Sequence, residues 1–380
     1  MNHHNFEARS IPLFVPGQII FTLLTLLFLG GCTSSPELKD IGPIAFPNPP
    51  DAPRFYYERT VYGTGAVKSS SKSDLLRKLL TGSSEREGYA FAKPFDVAVH
   101  RGRVFVSDTV QRVVYGLDFV TGNSLIIGDN GDEGDLFKPL GLATDDQGTL
   151  FVCDIQLKKV MVYDRDGNWL YSIDLDDNMS RPSGIDISGD GRRLYVVDIG
   201  GVESTQHGIA IYDTLTRTHI RNIGIRGTAT GEFNLPRDVS LGRDGYLYIT
   251  DSGNFRIQVL DQEGNPLHTW GSPGRHLGQF TRPKGIASDN EGNLYVVDAA
   301  FGNFQLFSSQ GELLLHIGTR SEIAGPAKYM LPAGIDVDED GRIYVLDQFF
   351  RKMDVFRPAS LKERERTSDI DTTRLPSKTR

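Results

Sequence analysis

The chain has few groups for familiar chemistry. It carries no Gly-x-Ser-x-Gly elbow, no Walker loop and no His-Glu-x-x-His pair, so the motif-borne hydrolase, nucleotide and zincin readings have no support. Cysteine occurs twice, as Cys32 and Cys153, and without a Cys-x-x-Cys-His motif covalent c-type haem is excluded. Apolar runs are short. The longest, Ile19 to Leu29, has 11 residues, too few to span a bilayer as a helix. Neither charge dominates: 41 Lys and Arg against 49 Asp and Glu leave −8 over 380 residues. With 39% hydrophobic and 24% charged residues, this is the composition of one large globular domain.

What the chain has instead is a repeat. Proline, one residue, Gly or Asp, then an aliphatic residue, a turn and an apolar run ending in Asp occurs six times. The copies start at Pro94, Pro139, Pro182, Pro236, Pro283 and Pro332 and end at Asp108, Asp154, Asp198, Asp251, Asp298 and Asp347. The prolines lie 45, 43, 54, 47 and 49 residues apart, a period typical of propellers and other repeat folds. Each copy predicts a strand, a Gly-containing hairpin turn and a second strand, as in Pro283 to Asp298. A third strand follows (Arg256-Ile-Gln-Val-Leu, Lys352-Met-Asp-Val-Phe), then a polar turn and a fourth strand ending on Gly271 or Gly318. Second strands such as Leu-Tyr-Val-Val do not alternate with polar residues, which fits sheets covered on both faces. The expectation is an all-β, six-bladed β-propeller of four-stranded blades.

The sixth copy lacks a fourth strand before the tail. Upstream of the first, Arg54-Phe-Tyr-Tyr-Glu-Arg-Thr-Val-Tyr-Gly63 has the pattern of that missing strand. An open ring would leave strand edges unpaired, so residues 54–63 are expected to close blade six. Two tokens identify the repeat further. The linker Gly-x-Phe-x-x-Pro appears at Gly231–Pro236 and Gly278–Pro283, and Arg256-Ile-Gln-Val259 forms a third strand. These resemble NHL repeats. No Trp-Asp pair occurs, which disfavours WD40, and blades two, three and six depart from the third-strand pattern.

The ends carry targeting signals. The Ile19–Leu29 run leads into Leu-Gly-Gly-Cys32, which resembles a bacterial lipobox. The resemblance implies a lipoprotein signal peptide over 1–31, cleavage before Cys32 and lipidation of its thiol. Thr33, where Asp would favour retention, implies an outer membrane lipoprotein facing periplasm or cell surface. Residues 32–52 read as a Pro-rich tether, residues 53–357 as the propeller and 358–380 as a disordered tail. Within the propeller, Ser73 can cap a short helix over 74–80 inside an insertion at about 73–82. With Cys32 acylated, Cys153 has no partner thiol and reads as a buried filler.

Candidate site residues follow from the first strands, which line a propeller channel. Two residues after each proline stand Asp96, Gly141, Gly184, Asp238, Gly285 and Gly334. Asp96 and Asp238 belong to opposing blades one and four. They can hold a cation or ordered water, or cap nearby backbone amides. Basic residues flank the same prolines: Lys93, Lys138, Arg181, Arg237, Arg282 and Lys284. Hairpin turns on the opposite face carry acids such as Asp145, Asp244, Asp289 and Asp338. One basic and one acidic face are therefore expected, and a focused basic field favours an anionic partner. Blade six also holds Asp336-Val-Asp338-Glu-Asp340-Gly341 with Asp347 at the twelfth position, matching a calcium loop, although Asp340-Gly341 is equally the ordinary turn.

The expectation is a lipid-anchored, monomeric binding scaffold with no catalytic residues, and no cofactor beyond a possible Ca²⁺. Its site is the channel mouth and basic face (Asp96, Lys138, Arg181, Arg237, Asp238, Arg282, Lys284). Its partner is an envelope protein or an anionic glycan, with the membrane reached through the anchor. An outer-membrane destination argues against the nucleic acid bound by eukaryotic NHL proteins. The rival is a metal-dependent lyase or hydrolase, since NHL-like lyases and related hydrolases place a metal in the channel. Against it, the eight histidines do not recur at one repeat position, and His268 and His316 fall on outer strands.

Overall fold

The computed structural model describes residues 43–67, 88–175, 179–201 and 203–361. The expected signal segment, Cys32, the start of the tether, the helix at 74–80 and the tail beyond residue 361 lie outside the described residues.

Six antiparallel sheets form the body. Their innermost strands are Pro94–His100, Pro139–Thr144, Pro182–Ile187, Pro236–Leu241, Pro283–Ser288 and Pro332–Val337. Each packs against the next, and the last returns to the first, closing the ring. Blade five shows the local rules. Pro283–Ser288 turns through Asp289-Asn-Glu-Gly292 into Leu294–Asp298, followed by Asn303–Phe307 and Leu313–Ile317. The Asp289 carboxylate accepts from the Glu291 and Asn293 amides, and Gly292 supplies φ 83°. The second strands Leu247–Asp251, Leu294–Asp298 and Ile343–Asp347 are buried at every position, as their unalternating sequence requires.

The core lies between blades. Tyr248, Ile257 and Val259 of blade four meet Ile286, Leu294 and Val296 of blade five. The linker phenylalanines wedge into these seams. Phe233 and Phe280 are each 0% exposed, and a fully buried ring of this size contributes about 1.5–3 kcal/mol.

Blade six closes as expected. Phe55–Val61 pairs antiparallel with Lys352–Pro358, with Val61 opposite Met353. Buried polar groups fix the closing strand. Arg342 Nε lies 3.1 Å from Glu58 Oε2, and Thr60 Oγ1 donates to Asp354 Oδ1 at 2.6 Å. Beyond expectation, Ala45–Phe46 pairs with Phe55 and Tyr56 as a fifth strand. This part of the predicted tether is docked rather than free. Its short apolar sequence covers the exposed edge, and Phe46 meets Phe356 edge-on at 5.6 Å between centroids.

The repeated aspartates explain the repeat. Asp298 is 0% exposed; Oδ2 accepts from the Thr281 and Arg282 amides and Oδ1 from those of Ala300 and Phe301. Asp108, Asp154, Asp198 and Asp347 make equivalent bridges. Each ties the segment before a proline to the turn after the second strand. The amides of Lys93, Lys138, Arg181 and Arg282 are among those held, so the basic residues are fixed at one level of the ring.

Candidate binding site at the ends of the channel

In all six blades the pairing register shifts between the proline and the third residue after it. Proline, without an N–H, is tolerated at the start of the strand, and the bulge re-aims the residues that follow. Two levels of side chains result, and their chemistry differs.

The deeper level is acidic. A cavity of about 490 Å³ runs along the axis, lined by Asp96, Asp186, Asp238 and Asp336 among the apolar residues of the first strands. Each carboxylate stitches neighbouring blades together. Asp96 accepts from the Leu142 amide of blade two at 3.0 Å, and Asp238 from Ile286 of blade five at 3.0 Å. Asp186 accepts from Leu241 of blade four at 2.6 Å, and Asp336 from Val99 of blade one at 2.8 Å. Asp186, Asp238 and Asp336 also accept from the amide that follows them in their own strands. Burial pushes the Asp96 carboxyl up to about 7 and that of Asp186 to about 6. Asp238 and Asp336 are also raised, by burial first and then by the other channel carboxylates.

The pattern repeats after three blades. Asp96 and Asp238 stand two residues after their prolines, whereas Asp186 and Asp336 stand four residues after theirs, in blades three and six. The second pair was not singled out as channel-lining from sequence. Reading the fourth position across the six copies would have found it. The remaining two seams, blade two to three and five to six, are closed differently. There Gly141 and Gly285 lie so close to the next blade that a Cβ would fall 2.4 Å from Ser183 O and 2.5 Å from Ala333 O.

The outer level carries two cations among six residues. The residues directly after the prolines are Phe95, Leu140, Ser183, Arg237, Lys284 and Ala333. None of them lines the cavity, which instead reaches the hairpin turns at Asp146, Gly189, Arg243, Asp289 and Asn290. Asp96 and Asp238 therefore do not share one site with Arg237 and Lys284, as the sequence reading grouped them. The structure places the acids in the cavity and the cations beyond it.

Arg237 and Lys284 are half-buried, on adjacent blades, with no hydrogen-bond or ion-pair partner for either side chain among the described residues. Burial lowers the Lys284 ammonium to about 8, reinforced by Arg282, Arg237 and Lys93 and opposed by Asp347. Burial, Arg181 and Arg282 lower Arg237 as well. Lys284 of blade five thus feels charges from blades one, four and six. Arg181 and Arg282 are exposed around it, and Lys138 is exposed and outside this coupled group.

The calcium-loop residues do not converge. Asp336 is bound to amides in the channel and Asp347 bridges the Met330, Leu331 and Phe350 amides. Asp338 accepts from the Asp340 and Arg342 amides and the Tyr344 hydroxyl, and Asp340 pairs with Arg342 at 3.0 Å. A strand and an ordinary hairpin turn separate them, and no group of three or more His, Cys, Asp or Glu suited to a metal occurs among the described residues. Cys153 is 0% exposed, and burial raises its thiol, as a core filler's would be.

The NHL repeat family model matches residues 233–260, the linker and first three strands of blade four. Over 143 residues the chain is 24% identical to the protein brain tumor of Drosophila melanogaster, covering 37% of this chain and 13% of that one. Among solved structures it resembles a Bacteroides thetaiotaomicron protein of unknown function, with TM-score 0.60, 15% identity, and 80% and 76% of the two chains covered. It also resembles a gluconolactonase from Xanthomonas campestris, with TM-score 0.52, 17% identity, and 70% and 86% covered. At these identities the solved structures speak to fold alone. The six sheets and the matched segment agree: the chain is a six-bladed β-propeller that carries an NHL repeat in blade four.

Proposed function

We propose that this propeller is a non-catalytic binding scaffold, anchored by lipid at Cys32 to the outer membrane. In this reading its proline-side face holds an anionic group of an envelope protein or glycan. One observation carries the reading: Arg237 and Lys284 are half-buried cations without an acidic partner among the described residues. Burying charge is costly unless it is paired, and an arriving anion supplies the pair. Arg181, Arg282 and Lys93 add a field that steers it.

The rival, an enzyme acting in the channel, draws on the cavity and its carboxylates raised toward neutrality. Those carboxylates are, however, occupied with interblade amides. Two measurements separate the readings. Crosslinking in intact envelopes should capture a partner whose yield falls as salt rises, because the field is screened over about 8 Å at physiological ionic strength. Elemental analysis of the purified protein showing a stoichiometric transition metal, or tightly held calcium, would favour the enzyme instead.

A further inference from the structure

We propose that the proline-side mouth seats the terminal carboxylate of a partner protein whose last side chain is apolar. The inference rests on the scaffold reading and narrows it to one chemical group.

The ring of residues after the prolines is divided. Arg237 and Lys284, on blades four and five, make a cationic arc. Across from it, Phe95 of blade one is half-buried and offers apolar surface, while Ala333 and Leu140 on the flanking blades are buried. A simple inorganic anion would use only the cationic arc. A guanidinium offers two parallel N–H donors to a carboxylate, and the neighbouring ammonium adds a point charge. An apolar side chain next to that carboxylate would lie against the Phe95 side of the ring. No carboxylate of the described residues occupies the seat: Asp347, the acid that Lys284 feels, is spent on the Met330, Leu331 and Phe350 amides.

The charged groups around Lys284 are Arg237, Arg282, Lys93 and Asp347, three cations against one acid. Burial and these cations lower its ammonium to about 8, so affinity for a carboxylate falls as pH rises past that value.

The test uses the full-length protein and three short acetylated peptides: one ending in Phe with a free carboxylate, its C-terminal amide, and one ending in Ser with a free carboxylate. Titration calorimetry should show the Phe acid binding, with the amide about tenfold weaker or more, as for loss of a charge-assisted hydrogen bond. The Ser acid should also be weaker. Arg237→Met and Lys284→Met should each lose about as much as the amide does, and Lys138→Met nothing. Lys284→Arg should retain binding and flatten its decline between pH 7 and 9. Removing either cation relieves repulsion, so the Met variants should melt no lower than the wild type.

Equal binding of acid and amide, or unchanged affinity in folded Lys284→Met, overturns the proposal. So does a uronic acid that binds better than the Phe peptide, since the seat would then be a glycan's. If the peptides fail while salt-sensitive envelope capture persists, only this inference falls. If capture is absent too, the scaffold reading falls with it.

Discussion

Replacing Asp298 by Ala removes one side chain and strands four backbone donors. The carboxylate is 0% exposed and receives the Thr281 amide at 2.7 Å, Arg282 at 3.0 Å, Ala300 at 2.9 Å and Phe301 at 3.1 Å. Hydrogen bonds to a charged group are worth about 1.5–3 kcal/mol each, but water can reach part of this surface loop, so a net loss of roughly 3–5 kcal/mol is expected. For a domain of this size that is a fall in melting temperature of roughly 5–8 °C. Differential scanning calorimetry reads it directly. Asp261→Ala provides the comparison: that carboxylate caps an exposed hairpin by accepting from the Asn265 amide, and the melt should barely move. A shift for Asp298→Ala below about 2 °C, equal to the Asp261 variant, would refute the account of the repeated aspartates as clamps between the pre-proline linker and the turn after the second strand.

Three further outcomes follow. Deleting Phe55–Val61 leaves Lys352–Pro358 as an open edge and should lower the melting temperature sharply; an unchanged melt would sink the closure. Burial raises Asp96 from 3.8 to about 7, so between those values the folded protein keeps a proton that the unfolded chain has released, and stability falls as pH rises through the window. Asp96→Asn should remove its share of that slope, up to roughly 4 kcal/mol between pH 4 and 7, in denaturant titrations; an identical slope would show that Asp96 is not held this way. Cys32→Ser should release the protein from membranes or leave the precursor unprocessed, and a variant still processed and membrane-held would contradict lipidation.

The blades were legible because each repeats three local signals that physics ties together. These are a proline that can begin but not continue a central strand, a Gly turn, and an unalternating second strand. The closing strand was legible from the missing pairing partner in the sixth copy. What escaped depends on which way side chains turn. The register shift after Pro236 separates Asp238 from Arg237, although the two are adjacent in sequence. Asp336 matched a calcium loop by spacing, but its strand carries it to the channel, where Val99 holds it. The hairpin acids first read as free surface charge are turn caps: Asp244 and Asp289 also accept from the Tyr248 and Tyr295 hydroxyls. Reversing their charge would disturb the fold, so exposed Glu291 is the better control on that face.

The central claim is that partner binding runs through the paired cations at the proline-side mouth. The most direct measurement is envelope crosslinking with wild type, Arg237→Glu/Lys284→Glu and Glu291→Lys, each confirmed folded by its melt, at low and physiological salt. The account predicts that the double reversal loses the captured partner at both salt concentrations. Glu291→Lys should capture as wild type does, and the wild-type yield should fall as salt rises. Equal capture by the double reversal at low salt would contradict it.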